Sequence, residues 1–594
     1  MSVESLHYQI KVKDTHAHLF EVSLTFTPIS DTTVLSLPSW IPGSYLIRDF
    51  AKNIIQIQIT DSNQSAVPLI QLDKNHWQFE STQTVTVCYQ VYAFDLSVRS
   101  AYLDQNQGFF NGTSVFLCPQ GLEHYCCELN VIENPHTPTW KVATSLKTEH
   151  LYQFGLYQAQ NYDEFIDHPF ILGDFDLHSF YVGDVQHDVV LMGKHYCDMA
   201  RLCDDLQAIC QTQIGFFNDD APFTNKRYVF MTLVTQSGYG GLEHRDSTVL
   251  MCPRNDLPRI GEDKQTISDE YLNYLTLCSH EYFHNWNVKR IKPKAFAPYQ
   301  LDKESYTTQL WAFEGFTSYY EALMVARAGL IDSQRFIKYL AQTLTRVFRT
   351  QGRFSQSLSD SSFNAWTKFY QQDANANNAI VSYYTKGAYI ALALDLILRE
   401  NQSSLDALMQ LLWDKYKDGS GVPEGEIELL AGQLAGIDLT NFFDQALNGT
   451  QDIDLFPLLA QMGVKFGLGN VSSLSKLGGH KANLDGNEKA FIGARLAPHP
   501  WGAKVVFVEN NGAAYKAGLA SGDIIIALDN LKVSDKTIEK ELSKFPLGTK
   551  VSIHAFRDSE LFEMQLPTIT STNHTVWLDV LNQDLLDKWV LTSN

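Results

Sequence analysis

The segment SDEYLNYLTLCSHEYFHNWNVKR, which begins at Ser268, sets two histidines, His280 and His284, four residues apart within a helical apolar pattern. Side chains at i and i+4 stand one above the other on a helix face, so both imidazoles can reach one point. Ser268 is placed to cap this helix, and Asp269 and Glu270 fall in its first turn, where the helix dipole favours negative charge. Glu281 lies between the histidines, where a carboxylate can take a proton from metal-bound water. Neutral nitrogen ligands beside one acid suit zinc, whose bound water ionises near neutral pH. With 18 histidines in 594 residues, chance yields this pattern in roughly a few chains per hundred.

A catalytic zinc takes a third protein ligand and keeps one position open. Downstream, LWAFEGFTSYYEALMVARAGL reads as a second helix, and 29 residues separate its Glu314 from His284. That gap leaves room for a loop and a returning antiparallel helix, which makes Glu314 the expected third ligand.

Around this pair of helices the periodicity changes along the chain. From Leu6 to about Leu172, runs such as YQIKVKD, HLFEVSLTFTP and TVTVCYQVYAF alternate apolar with polar, the mark of half-buried strands. Strands and a helix mix from Asp176 to Leu250, and helical spacing dominates from Ser268 to about Leu447. The Gly/Asn/Ser/Lys-rich stretch Gly467–Lys489 reads as a linker, and short strands return after it. The net charge of −21 argues against broad nucleic-acid binding, which needs an excess of Lys and Arg. The nine cysteines are odd in number and lack CxxC spacing, which points to buried free thiols and not to a disulfide framework. The most apolar stretch, Ala388–Leu398, is short and interrupted by Asp395, so no membrane partner is expected. With no signal-like N-terminus, the expected location is cytoplasmic.

HEYFHNWNVKRIKP followed by LWAFEGFTSYYE resembles the gluzincin metallopeptidases, in particular the glycyl aminopeptidase family with a C-terminal PDZ domain, related to the aminopeptidase N-like enzymes. SLPSWIPGSYLIRDFA, DLSVRSAYLD, SGYGGLEH and SYYTKGAYIALALDLILR extend the resemblance through nearly the whole chain. The gap from His284 to Glu314 is longer than in the aminopeptidase N-like relatives, which favours the glycyl branch.

An exopeptidase has to recognise a free α-amino group. In Tyr239-Gly240-Gly241-Leu242-Glu243-His244 the glycines admit close backbone approach and Glu243 offers the carboxylate. The resemblance maps Glu243 onto the amine-binding Glu of aminopeptidases, whose Gly-Ala-Met-Glu-Asn stands here as Gly-Gly-Leu-Glu-His. It also makes Tyr384 the phenolic donor to the developing oxyanion, with Tyr383 as the competing residue. Thr317, Ser318, Asn285 and Asn287 are near enough in sequence to support the metal ligands, and His244, Arg99 and Arg290 are open between a cleft role and a structural one. Near the C-terminus, FIGARLAPHPWGAKVVFVENNGAAYKAGLASGDIIIALDNLKV resembles a bacterial PDZ domain. The resemblance makes Phe491, Ile492, Gly493 and Ala494 the candidate loop whose N–H groups would receive a terminal carboxylate.

The expected fold is therefore multidomain α+β. It comprises an N-terminal antiparallel β domain (1–175), a thermolysin-like zinc peptidase domain (176–345), an α-helical domain (346–466) and a PDZ domain with its preceding linker (467–594). The expected activity is removal of N-terminal residues from peptides by one Zn2+ per chain, with water activated by Glu281. The resemblance implies a preference for glycine and alanine. Peptides with a free N-terminus are the expected substrates, and a C-terminal peptide is the candidate ligand of the PDZ domain. The rival readings are a zinc endopeptidase and a non-catalytic PDZ scaffold with a relict metal site; an epoxide hydrolase on the same scaffold is a remote third.

Overall fold

The computed structural model describes residues 5–470, 478, 489–571 and 574–592. The expected linker Gly467–Lys489 lies mostly outside the described residues. The chain forms two compact units. The first comprises Met1–Ser305 with Ala328–Leu330 and Trp413–Val422; the second comprises Tyr306–Arg327, Ile331–Leu412 and Pro423–Asn594.

In the first unit, alternation in the sequence becomes two-faced sheet. Along Ser5–Asp14, Leu6, Tyr8 and Ile10 are buried, while His7, Gln9 and Lys11 face outward. This strand pairs antiparallel with Leu19–Phe26 and parallel with Cys126–Ile132, the one parallel pair among the described pairings of residues 5–173. The larger sheet is eight-stranded among the described residues, and two four-stranded sheets accompany it. Their inner faces share one core, which includes Phe20, Phe110, Phe116 and Phe170.

Residues 176–253 form a second layer, a sheet of five strands among the described residues. Its order is Asp176–Val182, Val185–Met192, Arg227–Thr235, Ser247–Pro253, Gly240–Glu243. The central strand Arg227–Thr235 is buried almost throughout, as parallel pairing on both sides requires. The helices Met199–Phe216 and Asp269–Phe283 also belong to this unit.

The second unit is helical up to Gln461. Its central helix, Thr385–Glu400, is buried on nearly every side; Ala388, Tyr389, Ile390, Ala391 and Leu392 are all buried. No helix among the described residues is long and apolar enough to cross a membrane. The strand Val464–Asn470 pairs antiparallel with His574–Val580, which leads into a final helix, Gln583–Val590. Between these two strands sits a β module with a small core built on Ile492, Val505, Ile525 and Ile553. Among the described residues its sheet runs Ala494–His499, Gly502–Val508, Ile524–Leu528, Lys550–Arg557, Glu560–Pro567, with Ala494–His499 at one edge. The sheet ends at Pro567, and residues 574–592 pack on the helical region. All nine cysteines are free thiols, seven of them buried.

Candidate functional site

The helix Asp269–Phe283 opens as its sequence dictates: the Ser268 side chain accepts the N–H of Tyr271 at 3.0 Å. Its far end is anchored on one face by Tyr282, whose hydroxyl meets His187 Nε2 at 2.8 Å, among the rings of Tyr228 and Phe230. The other face presents His280 and Glu281, and His284 follows as the C-cap. The two imidazoles stand 4.6 Å apart between centroids and nearly perpendicular, at 88°. Both are buried.

His284 Nδ1 lies 2.7 Å from the carbonyl of Asn287. A carbonyl can only accept, so Nδ1 carries the proton and the Nε2 lone pair is left to bind a cation. Neutral nitrogen donors, one with its tautomer fixed by a backbone carbonyl, are what zinc ligation calls for. In this region the donor set fits the metal. The supporting contact from Asn287 comes from its backbone, so its side-chain type gave no clue to it.

The edge strand Gly240–Glu243, paired with Ser247–Pro253, brings Glu243 beside this helix end. Donor atoms of Glu243, Glu281 and His284 all lie within 4.8 Å of one another. A Cβ on Gly241 would stand 2.1 Å from Glu281 Oε1, so the absence of a side chain there is what admits the acid. Glu243 is 4% exposed, and its Oε1 meets no hydrogen-bond donor among the described residues. The turn through Gly43, whose φ is +88°, packs directly on this carboxylate. Trp40 fastens that turn by donating its indole N–H to the carbonyls of Gln300 and Lys303, both at 2.9 Å. Sequence reasoning did not single out Gly43; its signal is the Ile-Pro-Gly turn inside SLPSWIPGSYLIRDFA.

The other candidates of this unit separate by their partners. Arg99 donates to the Gly241 carbonyl at 3.3 Å and so borders the edge strand. His244 instead faces Asp167 at 3.2 Å, which Lys289 also holds at 2.9 Å. Arg290 donates to the carbonyls of Arg245 and Pro222, a structural role. Tyr239 is exposed, with its hydroxyl donating to the Asn273 carbonyl at 3.1 Å. Gly240, at φ +153°, lies next to Arg99.

In the second unit, Glu314 forms the joint between the short helix Leu310–Phe313 and Gly315–Arg327, and is 2% exposed. Gly315 meets Gly387 so closely that a Cβ on it would lie 2.5 Å from Gly387 Cα. This small-residue crossing draws the start of the Thr385–Glu400 helix, and with it Tyr383 and Tyr384, toward Glu314. Tyr383 is fully buried, and its phenol is pushed well up by burial and by the nearby Tyr370 and Glu314. Tyr384 is half-buried, with its hydroxyl 3.4 Å from that of Tyr370. Tyr370 is a neighbour that sequence reasoning missed. Thr317 bonds its hydroxyl back to the Phe313 carbonyl at 2.7 Å.

In the C-terminal module, Phe491, Ile492 and Gly493 lead into the edge strand, which Ala494 opens, and all four are buried or tightly turned, with Gly493 at φ +68°. The Ile492 N–H is directed at the Glu539 carboxylate. The loop therefore carries an acidic side chain of its own at one of the donors expected to receive a ligand.

Comparison with known proteins agrees with this layout. Residues 7–174 match the Peptidase M61 N-terminal domain, 273–390 the M61 glycyl aminopeptidase domain, and 490–568 a PDZ domain. The crystal structure of an aminopeptidase N family protein from Idiomarina loihiensis is 43% identical, covering 98% of this chain and 100% of that one, at a TM-score of 0.94. An M1 zinc metallopeptidase from Deinococcus radiodurans is 13% identical, over 76% of this chain and 95% of that one, at a TM-score of 0.47. Curated proteins offer no match. With three domain matches in order and a relative of this identity along nearly its whole length, the chain belongs to the M61 glycyl aminopeptidase family.

Proposed function

We propose that the protein is a zinc aminopeptidase, with His280, His284 and Glu314 as the metal ligands. The observation that carries this reading is Glu243, a buried carboxylate with one oxygen unmet, beside Glu281 and His284. Burying an unpaired charge is costly, so such a group favours a cation that arrives with the ligand. An α-ammonium group supplies that cation, which favours an exopeptidase over an endopeptidase.

When bound, zinc supplies Lewis-acid polarisation of the first peptide carbonyl and acidifies water. Glu281 takes the proton of the attacking water and passes it to the leaving amine. Glu243 holds the α-ammonium, which fixes how far the chain enters and aligns the first peptide bond with Glu281. Tyr384 donates its phenolic proton in a hydrogen bond to the oxyanion, and its half-buried position suits it better than the enclosed Tyr383. Family membership supports glycine and alanine as the preferred N-terminal residues. Peptide docking along the strand Ala494–His499, an edge among the described residues, is the role proposed for the PDZ module.

Metal analysis with a panel of aminoacyl-arylamides tests the reading. Glu281→Gln is expected to keep zinc and lose about 1,000-fold or more in kcat. A Glu281→Gln protein that stays active removes the assigned base. Glu243→Ala is expected to abolish hydrolysis of free-amine substrates alone. Rapid cleavage of N-acetylated peptides by the intact protein would instead establish an endopeptidase.

A further inference from the structure

The first unit contains a cavity of about 840 Å³ that includes none of the residues assigned above to catalysis or metal binding. Leu37, Pro38, Tyr162, Lys292, Phe296 and Tyr299 form much of its wall. Its volume lies within the range of small-molecule sites, roughly 300–1,000 Å³, and its wall mixes apolar side chains with polar and charged ones.

Most of the charges on this wall are already engaged. Glu123 accepts the Gly121 N–H at 2.9 Å, and Asp163 pairs with Arg245 at 2.8 Å. His76 faces Asp73 at 2.9 Å, and the Lys294 amine donates to the Ser420 carbonyl at 2.7 Å. Asp302 is exposed to water. Lys292 differs from all of these. Its amine packs over the Tyr299 ring, 4.7 Å from the centroid, and no carboxylate forms an ion pair with it among the described residues. Burial and the positive charges of Lys289 and Arg245 press its pKa down to about 8, against the opposing pull of Asp163 and Asp167. A partly buried amine with an aromatic ring beneath it and a cavity in front of it lacks only an anion.

We propose that this cavity binds a small monocarboxylate with an aromatic or branched apolar body, its carboxylate paired with Lys292. The single charge follows from the wall: a dianion such as phosphate would confront Glu123 and Asp163 as well as meeting Lys292. The apolar body follows from Leu37, Pro38, Phe296 and the ring of Tyr299, which offer rings and aliphatic surface.

The test uses the zinc-loaded full chain and 3-phenylpropionate as probe, with 3-phenylpropanol as its neutral counterpart, in isothermal titration. The acid is expected to bind, the alcohol to bind far more weakly, and Lys292→Met to lose about tenfold or more in affinity for the acid. Hydrolysis of aminoacyl-arylamides by Lys292→Met is expected to be unchanged, which separates this site from the metal centre. A measurement on the wild type alone is peptide mapping after limited acetylation, in which phenylpropionate protects Lys292 selectively. Equal binding by Lys292→Met, as a carboxylate held at the metal would give, overturns the proposal. So does failure of the acid to bind or to protect Lys292.

Discussion

A Cβ built on Gly241 would stand 2.1 Å from Glu281 Oε1, and one on Gly43 would stand 2.4 Å from Glu243 Oε2. Both carboxylates thus occupy space that a single methyl group would take. The sequence reading assigned Gly241 to substrate approach; in the structure the nearer demand comes from Glu281. Gly241→Ala is expected to displace that acid while leaving the strand pairing with Leu250 intact, because backbone hydrogen bonds do not involve the side chain. A misplacement of about 1 Å costs on the order of 100-fold in rate, so kcat should fall by that order with zinc content unchanged. An alanine variant with normal kcat would show that Glu281 tolerates the shift. The histidine spacing, Glu281 and the Ser268 cap were legible because each is a local rule of helix geometry. The roles of the Asn287 carbonyl and the Gly43 turn were not: Asn287 was named for its position and Ile-Pro-Gly marks a turn, but a backbone contact and an approach from 200 residues away leave no residue-type signature of what they meet. Lys386 adds a case of residue-level strain: it is 1% exposed, its amine meets no acceptor among the described residues, and burial lowers its pKa. Lys386→Met keeps the length and removes the charge, and is expected to raise the melting temperature in calorimetry.

At the scale of the element, the Thr385–Glu400 helix shows what periodicity can and cannot convey. Its apolar run was legible as too short to span a membrane, with Asp395 as the interruption. Asp395 is in fact 1% exposed and works as a hub. It accepts from Tyr319 at 2.8 Å, from Trp589 at 3.1 Å and from the Leu405 N–H at 2.9 Å, and it pairs with Arg399 at 3.0 Å. Trp589 lies 194 positions further along the chain, so no local window could connect the two. Arg327 and Asp406, joined at 2.9 Å, extend the network. Such a cluster is worth little net against well-packed apolar residues, but removing one member strands the others in a dry interior. Asp395→Ala is expected to destabilise the second unit by about 3–5 kcal/mol, read as a lowered denaturation midpoint with the slope unchanged. A loss no larger than that of an ordinary surface substitution would mean that water replaces the carboxylate.

Across the whole molecule, the order of β, mixed, helical and β segments was readable because strand and helix periods differ, and the comparisons agree with that order. The closure of the C-terminal module was not readable. The strand Val464–Asn470 finds its partner in His574–Val580, more than a hundred residues on, and the whole module is inserted between them. Both ends of the insert are thereby tied to one two-stranded ribbon, and Asn378 ties it again by donating to the Val508 carbonyl at 2.9 Å and accepting the Asn510 N–H at 3.1 Å. A module held this way opens on its own terms, and Glu539 makes those terms depend on pH. Burial pushes its carboxyl up to about 7, the Ile492 N–H pulling it back and the Glu509 charge adding to the rise. A folded pKa above the unfolded one means that the folded module holds a proton the unfolded chain has released. Its stability is therefore greatest below about pH 4.5 and falls as pH rises to about 7, by about 3 kcal/mol in all. Glu539→Gln keeps an acceptor for Ile492 and cannot ionise. Hydrogen exchange of peptides within residues 490–568 is expected to match wild type at pH 5 and to be slower than wild type at pH 8. Equal protection at pH 8 would mean that Glu539 ionises there without cost, and that a bound terminal carboxylate would meet no greater penalty at the same loop.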